Sequence, residues 1–164
     1  GTPCPYFSAY WQIDECGRRF ISNRAHGALG YALSAAAGAW FAAPRRKCIA
    51  VMGDGSFGFT CGELETLTRC RIPLTLVVVS NATYGWIKAG QRTGFDANYY
   101  SVDFTRTDHA RVAEAFGVKA WRVEDPMALS ATLAKALQHD GPALVDVVSQ
   151  PLHEARAPVS EWIV

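Results

Sequence analysis

Asp54 stands inside Gly53-Asp54-Gly55-Ser56, directly after the apolar run CIAVM (48–52), and Asn81 stands 27 positions later, directly after LTLVVVS (74–80). A carboxylate and an amide, each closing a short apolar run, are the residues here whose types and spacing could do chemistry. If both runs are strands of one parallel sheet, their ends lie side by side and the residues between them form the crossover. The Asp54 carboxylate, the Asn81 amide oxygen and a carbonyl from the turn Asn81-Ala82-Thr83 then make an oxygen-only half-shell. Such a set suits Mg2+ completed by water and two phosphate oxygens, with the metal removing the repulsion between carboxylate and phosphate.

Other chemistries fit the same letters less well. Gly53-x-Gly55-x-x-Gly58 follows a strand and opens a helix, the setting of a dinucleotide-binding loop, so an NAD-binding Rossmann dehydrogenase domain is the alternative. That fold wants an acidic residue near the end of the next strand, and no Asp or Glu occurs between Thr66 and Phe95. Asp54 would also aim its charge at the pyrophosphate. A calcium loop fails because Phe59 stands at the sharp turn where Gly is needed, and a Walker loop fails because Phe59-Thr60 follow Gly58 in place of Lys-Ser or Lys-Thr.

The elements that must position these residues are legible around them. GALGYALSAAAGAWF (27–41) has no charge and predicts a helix packed closely on other backbone. Strands are expected at 48–52 and 74–80, with a helix over 61–70 between them, Leu64 and Leu67 on its inner side and Glu63, Glu65 and Arg69 elsewhere. A short helix is expected around Trp86–Ala89 and an irregular, mobile segment over 90–104. Asp108 predicts an N-cap for HARVAEAFG, VKAWRV (118–123) a strand, Asp125-Pro126 the opening of a helix through LSATLAKAL, and ALVDVVS (143–149) a last strand. Strands alternating with helices predict an α/β fold, a doubly wound parallel sheet with helices on both faces.

Composition bounds the function. The chain has 164 residues, one ordinary domain, with 49% hydrophobic and 19% charged residues and a net charge of +1. Its Lys and Arg are scattered, so there is no basic field to gather nucleic acid. No apolar run approaches the ~20 residues of a membrane helix, and the N-terminus lacks the order of a signal peptide; the expected location is the cytoplasm, with no membrane partner. Five cysteines (Cys4, Cys16, Cys48, Cys61, Cys70) with no CxxC pair argue against a disulfide framework or structural zinc.

Taken together, Gly53-Asp54-Gly55-Ser56, the interval to Asn81 and Asn81-Ala82-Thr83-Tyr84-Gly85 resemble the diphosphate-binding motif of thiamine diphosphate enzymes, closest to the acetolactate synthase, benzoylformate decarboxylase and pyruvate decarboxylase group. GALGYALSAAAGA is similar to an upstream segment of that group, and RVAEAFGVKAWRVEDP with GPALVDVV resembles its closing pattern, so the resemblance covers most of residues 20–149. It implies that Asp54 and Asn81 bind Mg2+ by side chains and Thr83 by its carbonyl, and that Gly53 with the N–H groups of Gly55, Ser56, Tyr84 and Gly85 holds the diphosphate. Leu29 is implied as the prop of the bent cofactor and the Gly27 carbonyl as acceptor for its pyrimidine amino group. His26 is a candidate proton donor, and Trp86, Ile87 and Gln91 are substrate candidates.

The resemblance further implies a 2-oxo acid decarboxylase or carboligase and a homo-oligomer in the intact enzyme. The catalytic Glu of this family lies in a separate pyrimidine-binding domain, and Glu63 and Glu65, read as a solvated helix face, do not replace it. The expectation is therefore a single diphosphate-binding domain over 1–164, with a tail at 150–164, that is a fragment or subunit inactive without the Glu-bearing domain. A non-catalytic remnant or assembly subunit is the second alternative. The pattern departs mildly at Ser34, where Pro is usual, and at His26, where a small residue is often found.

Overall fold

Short apolar runs with β-branched residues need both faces covered, and that requirement organises the chain. The computed structural model describes residues 26–151 together with 10, 12, 20–23 and 154. Cys4, Cys16, His153 and most of the tail at 150–164 lie outside the described residues. Strands β1 (Ile49–Gly53), β2 (Thr75–Ser80), β3 (Lys119–Val123) and β4 (Ala143–Val148) lie parallel in the order β1-β2-β4-β3. The helices described in full are α1 (Tyr31–Ala42), α2 (Asp54–Gly58), α3 (Glu63–Arg69), α4 (Gly85–Gly94), α5 (His109–Ala115) and α6 (Leu129–Gln138).

Chirality decides which helix covers which face. The connections β1 to β2 and β2 to β3 travel the same way across the sheet, and β3 to β4 returns; right-handed crossovers then put α3 and α5 on one face and α6 on the other. The packing agrees. Leu76, Val78 and Leu144 join Leu33, Phe57, Leu64, Leu67 and Ala113 in one core, while the alternate positions Ala143, Val145 and Val123 join Ala136, Leu129 and Leu133 in a second. The doubly wound α/β sheet with helices on both faces is thus the observed fold.

Local signals behave as the residue types dictate. Asp108 accepts from Arg111 N at 3.0 Å and caps α5, and Asp125 accepts from Met127 N at 2.9 Å at the 3-10 turn Pro126–Ala128. Two expectations are corrected. The helix expected from Gly27 begins at Tyr31, because Gly27 (φ 59) and Gly30 (φ 86) take left-handed turn conformations. Its uncharged surface packs on one side only: Leu33 is buried, whereas Tyr31, Ser34 and Phe41 are exposed. Lack of charge signals tolerance of burial, not burial itself.

At the C-terminal edge of the sheet sits a charge with no exposure. Asp146 of β4 is 0% exposed and accepts from Ser80 Oγ at 2.5 Å, Arg122 Nη1 at 2.7 Å and His109 N at 3.1 Å. Ser80 Oγ also lies 2.9 Å from His109 Nδ1. The single Ser80 proton goes to the carboxylate, so His109 Nδ1 is the donor to Ser80. Burial alone would raise the Asp146 carboxyl, but the hydrogen bonds of His109 and Ser80 and the His109 charge outweigh it and hold the group below its ordinary value.

Substitutions in the core and in this buried cluster should differ in their pH dependence. Leu76→Ala empties a fully buried site between α3 and the sheet and should cost about 2–5 kcal/mol in urea unfolding. Asp146→Asn should cost on the order of 3 kcal/mol near neutral pH, since it leaves Arg122 without its buried partner. A depressed folded-state value means that the stabilisation is full above the ordinary carboxyl value of 3.8 and is lost as pH falls through the lower folded value. The stability gap between unsubstituted protein and Asp146→Asn, measured by urea midpoints against pH, should therefore narrow below that point.

Candidate functional site

Gly53 of β1 is in register with Val79 of β2, so Asp54 and Asn81 leave the sheet at neighbouring strand ends. Asp54, only 5% exposed, opens α2. Its Oδ2 accepts from Asn81 N at 2.8 Å and Ala82 N at 2.6 Å, and its Oδ1 accepts from Gly55 N at 2.8 Å. Two successive N–H groups converge on one oxygen because Ala82 is left-handed, with φ 57, which makes a concave backbone nest for an anion. For a residue with a Cβ that conformation costs about 1–2 kcal/mol. The nest is occupied by the protein's own carboxylate.

Asn81 Oδ1 accepts from Thr83 N at 3.2 Å, which turns the amide oxygen towards the same loop. Thr83 forms an isolated antiparallel bridge with Asp103. The bonds of that bridge run from Tyr84 N to Val102 O (2.8 Å) and from Phe104 N to Ala82 O (3.0 Å), so Thr83 is at the position whose own carbonyl is not used. Thr83 is buried, its Oγ1 donates to Val102 O at 2.9 Å, and no hydrogen bond among the described residues engages its carbonyl oxygen. A carboxylate with one lone pair to spare, on Oδ1, an amide oxygen and a carbonyl unused among the described residues thus belong to the same two strand ends. They fit a hard, oxygen-preferring cation.

The neighbouring surface suits an anion. α4 opens at the buried Gly85 with no side-chain cap, leaving first-turn N–H groups for a ligand. Gly55 is pressed so closely by the Tyr84 ring that a Cβ there would clash with Cε1, and the ring is backed by Phe104 at 5.1 Å. The two loops are therefore in contact. Ser56 Oγ accepts from Gly30 N at 2.8 Å and Thr60 Oγ1 donates to Gly30 O at 3.3 Å, so the turn ahead of α1 is fastened to the same loop.

The structure thus brings Gly53, Asp54, Gly55, Ser56, Asn81, Thr83, Tyr84 and Gly85 to one edge. Gly27 and Leu29 ride on the fastened turn, Leu29 half-buried. His26 is exposed on that turn, and no described hydrogen bond joins it to the loops. Trp86 is half-buried and Ile87 52% exposed on α4. Gln91 spends its amide on backbone, donating to Tyr100 O at 3.1 Å and accepting from Tyr100 N at 3.0 Å. The segment expected to be irregular from 90 is helical to Gly94. The chain returning from that helix is tied back by Gln91 and by the buried Lys88, 2.8 Å from both Asp103 oxygens.

Sequence reasoning passed over Lys88, Ser80, His109, Arg122 and Asp146. His109, Arg122 and Ser80 line a small cleft with Asp54, Ala82 and Arg106. One signal could have found the group: Asp146 interrupts ALVDVV, a strand otherwise apolar throughout. Among the described residues no helix is long and apolar enough to cross a membrane.

Comparison with known proteins accounts for this arrangement. Residues 1–147 match the family described as thiamine pyrophosphate enzyme, C-terminal TPP binding domain; thiamine pyrophosphate is thiamine diphosphate. The chain is 34% identical to the acetolactate synthase of Bacillus subtilis over 147 residues, covering 90% of this chain and 25% of that protein. It is 32% identical to the acetolactate synthase large subunit of Porphyra purpurea over 131 residues, 79% of this chain and 22% of that one. With the benzoylformate decarboxylase of Pseudomonas aeruginosa the identity is 33% over 150 residues, 88% of this chain and 28% of that one. The chain spans about a quarter of the length of these relatives. It belongs to the thiamine diphosphate enzyme family and corresponds to the C-terminal cofactor-binding domain.

Proposed function

We propose that this chain holds Mg2+ and thiamine diphosphate at the β1 and β2 strand ends and serves as the diphosphate-binding domain of an enzyme acting on 2-oxo acids, in the manner of an acetolactate synthase. The observation that carries the reading is the unused Thr83 carbonyl beside the Asp54 carboxylate and Asn81 amide oxygen. Asp54, Asn81 and Thr83 would be the metal ligands; the N–H groups of Ser56 and Gly85 would hold and orient the diphosphate, while those of Gly55 and Tyr84, expected in the same role, are engaged by Asp54 Oδ1 and the Val102 carbonyl. When bound, the cofactor supplies a thiazolium carbon that adds to the substrate carbonyl and a ring that takes up the electrons released with CO2.

The remaining assignments rest on position. Leu29 props the cofactor and the Gly27 carbonyl accepts from its amino group, both carried by the turn that Ser56 and Thr60 hold. His26, exposed on that turn, would exchange a proton with the bound ligand. Trp86 and Ile87 border the substrate; Gln91 acts there only through the Tyr100 backbone it holds. The pyrimidine-activating Glu comes from a pyrimidine-binding domain or subunit, in a cytoplasmic homo-oligomer. A dinucleotide reading of Gly53–Gly58 has no support, since the Asp54 side chain is turned into the Asn81-Ala82 nest and the next strand offers no acidic partner for a ribose.

Calorimetry on the protein at its native length should show Mg2+-dependent binding of thiamine diphosphate that Asp54→Ala weakens by more than about 100-fold. Metal-independent binding of NAD in its place would refute the proposal. Gly55→Ala should weaken cofactor binding by displacing the Tyr84 ring, and adding Tyr84→Ala should recover part of the loss in the same titration. Release of CO2 from pyruvate or benzoylformate by the native-length protein separates an enzyme from an assembly subunit.

A further inference from the structure

Ser80 is the last residue of β2 and the immediate neighbour of Asn81. Its hydroxyl is held by Asp146 at 2.5 Å and His109 Nδ1 at 2.9 Å, and its carbonyl accepts from Ser149 N at 2.9 Å. Asp146 collects donors from three other elements: Ser80 on β2, Arg122 on β3 and the His109 backbone of α5. The His109 ring also meets the Phe57 ring edge-on, at 5.5 Å and 84°. Phe57 lies in α2, three residues after Asp54. The buried cluster therefore reaches both sides of the metal loop, Asn81 through Ser80 and Asp54 through Phe57.

An ion pair on a fully buried carboxylate, here with an Arg122 side chain that is only partly buried, is a poor source of net stability, because well-packed apolar residues of similar volume often replace such a pair without loss. Its donors are directional, however, and a strand end fixed by several hydrogen-bonding partners cannot rotate its next peptide freely. We propose that Asp146, acting through Ser80 and His109, is a positioning residue for the metal side of the site: it sets the end of β2 and so the direction in which Asn81 and Ala82 present their N–H groups to Asp54. This rests on the reading that Asp54 and Asn81 hold the cation.

The test is a Mg2+ titration followed by calorimetry, at saturating thiamine diphosphate and well below the unfolding temperature, on the native-length protein. Asp146→Asn, Ser80→Ala and His109→Phe should each raise the Mg2+ dissociation constant about 10-fold. The pair Asp146→Asn with Ser80→Ala should raise it by much less than the product of the single effects, since both break one chain of contacts. Leu133→Ala, in the core on the opposite face, is the control for general destabilisation and should leave Mg2+ affinity unchanged. If Asp146→Asn does not fold, Ser80→Ala and His109→Phe decide. Wild-type Mg2+ affinity in those two, or equal weakening by Leu133→Ala, overturns the inference alone. Absence of Mg2+-dependent binding in the unsubstituted protein overturns the reading of the site and the inference with it.

Discussion

A carboxylate removed from water must be solvated by something, and Asp54 is solvated by backbone. Three N–H groups, from Gly55, Asn81 and Ala82, surround a side chain on a residue that is 5% exposed. Charge-assisted bonds of this kind are short and directional. They require β1 and β2 to be neighbours, the turn at 81–83 to close over the end of β1, and Ala82 to accept a left-handed conformation. The bridge between Thr83 and Asp103 is a consequence, because a turn held this way has its next peptide free to pair with 102–104. The layer order of the domain serves this one juxtaposition.

The second layer of control lies in the segment after α4. Lys88 and Gln91 are on the helix that opens beside the site, and each grips the returning chain, Lys88 at Asp103 and Gln91 at Tyr100. Lys88 is 4.9 Å from the centre of the Tyr99 ring, which adds a cation–π contact to the ion pair. The returning chain carries the left-handed residues Asp96, Ala97 and Ser101. Strain of this kind persists only where surrounding contacts over-determine it. The contacts concerned also place Val102, whose carbonyl receives Thr83 Oγ1 and Tyr84 N.

Much of this was legible in the residues. Apolar runs bounded by turns located the strands among the described residues, Asp108 and Asp125 marked their helix starts, and the spacing of Asp54 and Asn81 across a crossover pointed to two strand ends meeting at one edge. The features that were not legible depend on distant partners. Gly90 and Gly94 argue locally against a helix, yet α4 runs through both because Lys88 and Gln91 bond to residues 103 and 100. His109 reads as an ordinary helix residue until Asp146, 37 positions on, is seen beneath it. Ala82 gives no hint of a positive φ, since nothing in an alanine asks for one; Asp54 imposes it.

The two buried carboxylates at this edge differ in how their charge is met. Asp146 accepts from Arg122 as well as from neutral donors, so its charge is balanced within the protein. Asp54 accepts only from neutral N–H groups, and no Lys or Arg among the described residues pairs with it. Hydrogen bonds stabilise an anion without cancelling its charge, and a diphosphate brought to the same loops would add more of the same sign. Arg106 and Arg122 line the adjoining cleft, but Arg122 is already committed to Asp146 and Glu124. No Lys or Arg among the described residues therefore cancels the Asp54 charge, and the oxygen atoms around it are of the kind that hold a divalent cation.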